Sequence, residues 1–253
     1  LWPSDQRIYE ALFKRYTAVR KAMEDARPPQ HMSEREAKNW KSLDEINQRR
    51  IELQRKVNRS IAPKKPEEIT VGDKVTLCRY LVLCLYTQMP AIRNDWSNLP
   101  IVRFEEVGST AARELMAGSR NYLLEYAKGS YRLHLKTYKT DKTHGPHILD
   151  IPVRLGNVIA ESLAIFPRKY LLSRMRTPDA PMGSGYLTKF LAAIYPDSNL
   201  GSCLLRKITI SNAKDAPSLY ERDQLAKSML HTAPIAMRHY ELRYRSDGSR
   251  IQF

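Results

Sequence analysis

Cysteine is scarce in this chain. The three present, Cys78, Cys84 and Cys203, form no CxxC pair and no Cys/His cluster at zinc spacing, which excludes a disulfide framework and a structural zinc site. Cys78 and Cys84 fall in the apolar stretch Thr76–Tyr86, where a cysteine serves as a small core residue, so the expected compartment is reducing and intracellular. No apolar run approaches the roughly 18 residues of a membrane span, so no membrane partner is expected. There is neither an initiating methionine nor a signal-like segment, and the chain reads as part of something longer. No internal repeat is visible. Carboxylates are outnumbered: 27 Asp+Glu stand against 42 Lys+Arg, a formal net charge of +15. An excess of that size attracts polyanions and favours phosphate contacts. A basic surface without chemistry has the same composition. The hydrophobic fraction of 42% is ordinary for a globular protein and excludes wholesale disorder.

Residues 1 to about 61 carry dense charge with helical periodicity. Ile8, Leu12, Phe13, Tyr16 and Val19 recur at three-and-four spacing. Ser33 then opens a capping-box pattern with Glu36, and the helix that follows carries Trp40, Leu43, Ile46, Ile51 and Leu53. Such helices suit a DNA-gripping module, and solvated amphipathic helices would look the same. Ala62–Pro66 has two prolines and reads as a linker. Val75–Leu85 predicts a buried helix, Ile101–Val107 a short strand and Ala111–Met116 a helix. Tyr131, Leu133 and Leu135 alternate before turn chemistry at Asp141–Gly145, and Ile148–Val153 returns as the second strand of a hairpin. Helical spacing resumes at Arg154. Helices are expected over Tyr186–Ile194, Cys203–Ile210, Leu219–Leu230 and Pro234 to about Tyr240, with Ser218–Glu221 as a capping box and Thr232 as a cap.

The C-terminal third holds the most specific pattern. His231 closes one helix, and Tyr240 follows nine residues later. Upstream, Arg206 sits on the otherwise apolar run Leu204–Ile208. Burying a guanidinium costs several kcal/mol unless it meets an anion, so Arg206 is either an internal salt-bridge partner or a ligand contact. This pattern resembles the tyrosine recombinase (phage-integrase) family, whose signature runs arginine, then leucine-glycine-histidine, then tyrosine nine residues beyond. Met229-Leu230-His231 stands for the leucine-glycine-histidine. Leu85–Trp96 looks like the first-arginine box, and its Pro90-Ala-Ile-Arg93-Asn-Asp form is closest to recombinases of eukaryotic mobile elements and large DNA viruses. Lys139, at the end of the first hairpin strand, resembles the family's catalytic lysine.

The resemblance covers roughly residues 70 to 245 and implies a mainly α fold with a small antiparallel β-sheet (α+β). It divides the chain into a helical core-DNA-binding module over 1–62, a linker over 63–69 and a catalytic domain with a C-terminal tail over 70–253. It implies double-stranded DNA as substrate, no cofactor and no metal, and nuclear location in a eukaryotic or viral host, otherwise cytoplasm or nucleoid. Tyr240 is then the nucleophile, Arg93 and Arg206 the phosphate clamps, His231 a phosphate or proton contact and Lys139 the general acid. A homo-oligomer, from dimer to tetramer on DNA, would form by docking the tail on a neighbouring protomer.

Two positions depart from the family: Cys203 where a histidine is usual, and Leu230 where glycine is. Cys203 is either a packing residue or a weak substitute for the histidine. Lys136 and Lys142 compete with Lys139, and Tyr220 and Tyr244 with Tyr240. His144 and His147 flank the turn, exposed or against DNA. A type IB topoisomerase or telomere resolvase uses the same chemistry, and an inactive DNA-binding protein on this scaffold is the reading from another class.

Overall fold

The computed structural model describes residues 3–26, 30–212, 219–230, 236, 240–245 and 247–251. The first helix, α1 (Pro3–Ala26), has the expected apolar residues, and Ile8, Leu12, Phe13, Tyr16 and Val19 are all more than half exposed. The single helix expected from Ser33 past Leu53 is two: α2 (Glu34–Asn39) and α3 (Leu43–Ser60). The cause is a second capping box. Ser42 accepts from the Glu45 amide while the Glu45 carboxylate takes the Ser42 amide, which starts a new helix as effectively as Ser33 and Glu36 start the first.

The centre of the core is α4 (Val71–Thr87), begun by a box between Thr70 and Asp73. From Thr76 to Tyr86 every residue but Arg79 is buried. Ile46, Leu53, Val57 and Ile61 lie in the same core cluster as α4. The proline-containing stretch after α3 therefore joins two helices that pack in one core cluster.

The sheet has four strands in the order β1 (Ile101–Val102), β2 (Tyr122–Ala127), β3 (Ser130–Leu135) and β4 (His147–Asp150). β1 pairs parallel to β2 and the rest are antiparallel. The expected small antiparallel sheet is thus mixed, because helix α5 (Thr110–Ala117) carries the chain from β1 across to β2. The expected first strand ends at Val102, where Phe104–Glu106 turn into a 3₁₀ helix. Tyr131, Leu133 and Leu135 face the core as the alternation predicts. The hairpin connection is long and contains its own turn of helix, α6 (Asp141–His144), ended by Gly145 at φ 68°.

Val153 begins α7 (Val153–Ile165) and is exposed, which corrects its assignment to the returning strand. Inside α7, Gly156 allows a close approach to the β2–β3 turn, since a Cβ there would lie 2.7 Å from the Gly129 carbonyl oxygen. An unexpected small hairpin, β5 (Ser173–Arg174) with β6 (Thr177–Pro181), leads to α8 (Ser184–Ala192). Helices α9 (Ser202–Ser211) and α10 (Leu219–Ser228) follow. The capping residues Ser218 and Thr232 lie outside the described residues, as does the expected last helix apart from Ala236 and Tyr240. Among the described residues no helix is long and apolar enough to cross a membrane.

The tail folds onto its own chain. The Met32 amide donates to the Tyr244 carbonyl at 2.8 Å, and the Arg243 amide to that of Gln30 at 2.8 Å. The His31 and Tyr244 rings stack with centroids 4.8 Å apart, and Leu242 and Ile251 bury against Met32. Of the tail expected to reach a neighbouring protomer, Leu242 and Ile251 are covered here by Met32 of the same chain.

Candidate active site

Arg93 is placed by the end of α4. The Tyr86 hydroxyl donates to the Arg93 carbonyl at 3.1 Å, and the chain turns into a 3₁₀ helix over Asn94–Asn98 with Trp96 fully buried beneath it. The Asn94 amide group donates to the Ser184 hydroxyl at 3.2 Å and to the Thr188 hydroxyl at 2.8 Å. The arginine-bearing turn is thereby tied to the first turn of α8.

Arg206 sits on the inward face of α9, with only 1% of its surface exposed. Its Nη2 donates to the Met229 carbonyl at 2.7 Å, and the guanidinium lies 5.0 Å from the centre of the Tyr240 ring. Burial pushes this guanidinium down to about 10, opposed by Tyr240 and assisted by the repulsion of Arg93. It therefore remains charged at neutral pH. Asp95 shares the site, and burial raises its carboxyl above the ordinary range against the pull of its own backbone amide, Arg93 and Arg206.

The far end of α9 holds the nucleophile candidate. The Ser211 hydroxyl donates to the Tyr240 carbonyl at 3.4 Å and accepts from the Leu242 amide at 2.7 Å. One helix thus fixes both the arginine and the backbone of the tyrosine, which is half-buried. Lys139 arrives from the loop after β3 and is exposed. That loop docks against the turn at Leu230, where the Thr140 hydroxyl donates to the Leu230 carbonyl at 3.1 Å.

These pieces border one cavity of about 880 Å³, lined by Arg93, Arg120, Lys139, Cys203, Arg206 and Tyr240 among others. The chain matches no family model, no curated protein and no solved structure. The site is accordingly read from its own geometry. Of the residues singled out in the sequence, Arg93, Lys139, Arg206 and Tyr240 come together, and His231 lies outside the described residues. Cys203 is exposed at the cavity wall, so it is no packing residue.

The competing lysines separate clearly. The Lys136 ammonium donates to the carbonyls of Met116 and Gly118, the latter at 2.7 Å, which makes it structural. Lys142 is exposed on α6 and does not border the cavity. Neither His144 nor His147 borders it, and both are half-buried. Tyr244 is engaged with His31, and the side chain of Tyr220 lies outside the described set.

Sequence reasoning missed Arg120, Asn94 and Asn121. Arg120 lies just before β2, a strand the reading did not find, and nothing local marks it. Asn94 stood beside Arg93 in the quoted motif, but its role depends on α8 lying opposite. Among the described residues no group of three or more His, Cys, Asp or Glu is placed to hold a metal ion.

The arrangement brings a phenol, three guanidiniums and a primary amine to one open, strongly cationic cavity. Such a set can bind a phosphodiester, offer a nucleophile to its phosphorus and supply a proton to a departing alkoxide.

Proposed function

We propose that this chain is a site-specific DNA recombinase that cuts and rejoins strands through a 3′-phosphotyrosyl intermediate on Tyr240. The observation that carries the reading is the position of Arg206, a buried cation 5.0 Å from the Tyr240 ring centre, in the cavity that Arg93 and Lys139 also line.

In the first step the Tyr240 phenolic oxygen bonds to phosphorus and the bond from phosphorus to the 5′ oxygen breaks. Charge builds on the nonbridging oxygens as this happens, and planar, permanently charged guanidiniums clamp those oxygens better than ammonium groups do. Arg206 is rigid because it is buried, and Arg93 because Asn94 pins its turn to α8, so both are set before the reaction begins. Lys139, on an exposed loop, protonates the departing 5′ oxygen. His231 would contact the phosphate or carry a proton. In the second step a 5′ hydroxyl of another strand attacks the phosphotyrosine and restores the phenol. The energy of the broken bond stays in the intermediate, so the exchange draws on no ATP, and the clamps replace a metal.

The same geometry serves a topoisomerase or a telomere resolvase, which differ in what happens between the two steps. A pool of nicked suicide duplexes of random sequence, incubated with the protein in EDTA, separates the chemistry from mere binding. A covalent protein–DNA band is expected, and Tyr240→Phe abolishes it while retaining duplex binding. A band that persists in Tyr240→Phe excludes Tyr240 as nucleophile. Binding without any band makes the chain a DNA-binding protein on this scaffold.

A further inference from the structure

We propose that Arg120 is a further DNA-binding residue of this site, holding a backbone phosphate of the duplex other than the one being cut. The inference rests on the reading of the cavity as a DNA site.

The first support is charge. Among the described residues, Arg93, Arg120, Lys139 and Arg206 line the cavity against the single carboxylate of Asp95. One phosphodiester brings a single negative charge, and about one more develops as it reacts. Arg93, Arg206 and Lys139 already match that demand, with Asp95 close enough to both Arg93 and Arg206 to be shifted by them. Arg120 is carried by the residues just before β2, apart from the elements that carry Arg93 and Arg206. Its charge is surplus to one phosphate and fits a second.

The second support is its mounting. Arg120 is exposed and has no hydrogen-bond or ion-pair partner among the described residues. The backbone that carries it is nevertheless held firmly. The Asn121 side-chain oxygen, Oδ1, accepts from the Lys136 amide at 2.7 Å and from the Thr137 amide at 2.9 Å. The Asn121 amide group donates to the Thr137 carbonyl at 2.6 Å. From the other side the Lys136 ammonium reaches the carbonyls of Met116 and Gly118, and the Thr137 hydroxyl donates to the Ser119 carbonyl at 3.4 Å. These bonds staple residues 116–121 to the base of the loop that bears Lys139. Arg120 and Lys139 thus stand on one stapled unit, both aligned on the cavity and both available to an anion. A guanidinium so placed binds a phosphate with two parallel N–H donors.

The test is binding by the full chain, with Tyr240→Phe as parent so that no cleavage intervenes. Affinity for a labelled 20-base-pair duplex is measured across a salt series, with circular dichroism confirming the fold of each variant. Arg120→Ala is expected to weaken binding and lower the slope of log affinity against log salt by about 1, the signature of one lost phosphate contact. Arg120→Lys, which keeps the charge, is expected to restore the slope. An unchanged slope and affinity in Arg120→Ala, while Lys139→Ala lowers both, overturns the role of Arg120 and leaves the DNA reading standing. A parent that binds no duplex at any salt overturns both.

Discussion

Arg206 and Arg168 show at the scale of one residue what a sequence can and cannot reveal. Both guanidiniums are buried. Arg168 donates to the carbonyls of Ser162, Phe166 and Leu171 and to the Ser162 hydroxyl, a ring of local acceptors that makes it a structural strut. Arg206 was legible because it interrupts an apolar helix. The role of Arg168 was not, because its acceptors come from the backbone, which any sequence supplies. Arg206→Lys keeps a cation but loses the fork, and the initial rate of adduct formation is expected to fall about 10²-fold or more.

Leu230 is the second informative residue. It adopts φ 61°, the left-handed region where the resembling family carries glycine. A leucine there costs about 1–2 kcal/mol of backbone strain, but its side chain is 2% exposed, and its burial is worth about 1.5–3 kcal/mol. The two nearly offset. Leu230→Ala keeps the strain and loses the packing, so thermal unfolding should show it to be more destabilised than Leu230→Gly, although glycine removes more atoms.

Among the elements, capping chemistry is the most legible feature, and helix ends are the least. Ser33 and Glu36 were found. Ser42 and Glu45 are hidden by apolar spacing that runs on through Trp40 and Leu43, and only a tertiary anchor shows why the helix stops. The Asn39 side-chain oxygen accepts from the Asn199 amide at 2.6 Å, and its carbonyl from the Ser198 hydroxyl at 2.8 Å. Strand β2 escaped because Tyr122–Ala127 lacks period-two alternation, and β5 and β6 because two to five residues with a proline carry little pattern.

The box at the start of α4 predicts a pH effect. Hydrogen bonds from Lys64 and Thr70 hold the Asp73 carboxyl at about 2, below its ordinary 3.8. The folded state thus favours the ionised form. The stabilisation is complete above about pH 4 and is lost as pH falls from there towards 2. Asp73→Asn should lower stability at pH 7 by about 1 kcal/mol, and in acid titrations followed by circular dichroism its difference from the parent should vanish near pH 2. Gly156→Ala meets the Gly129 carbonyl oxygen at 2.7 Å, and the shift of α7 away from the β2–β3 turn should cost about 1–3 kcal/mol in denaturant unfolding.

For the molecule as a whole, the basic balance was plain from composition and the gathering of the cavity was not. Arg93, Lys139, Arg206 and Tyr240 are spread over the chain, and only their order along it hinted that they meet. With a net charge of +15, duplex affinity should fall steeply with salt. If about six phosphates are contacted, the drop between 50 and 200 mM salt is about 10³-fold, measurable by the same titration that tests Arg120. A flat salt response would argue against a backbone-binding face.

The tail closed on residues 30–32 has a mechanical consequence. Hydrogen bonds from the Met32 amide to Tyr244 and from the Arg243 amide to Gln30 tie residues 30–32 to the segment a few residues beyond Tyr240. A displacement of residues 30–32 is therefore passed to the segment that also carries the phenol of Tyr240. The aim proposed for Tyr240 thus depends on residues from the opposite end of the chain.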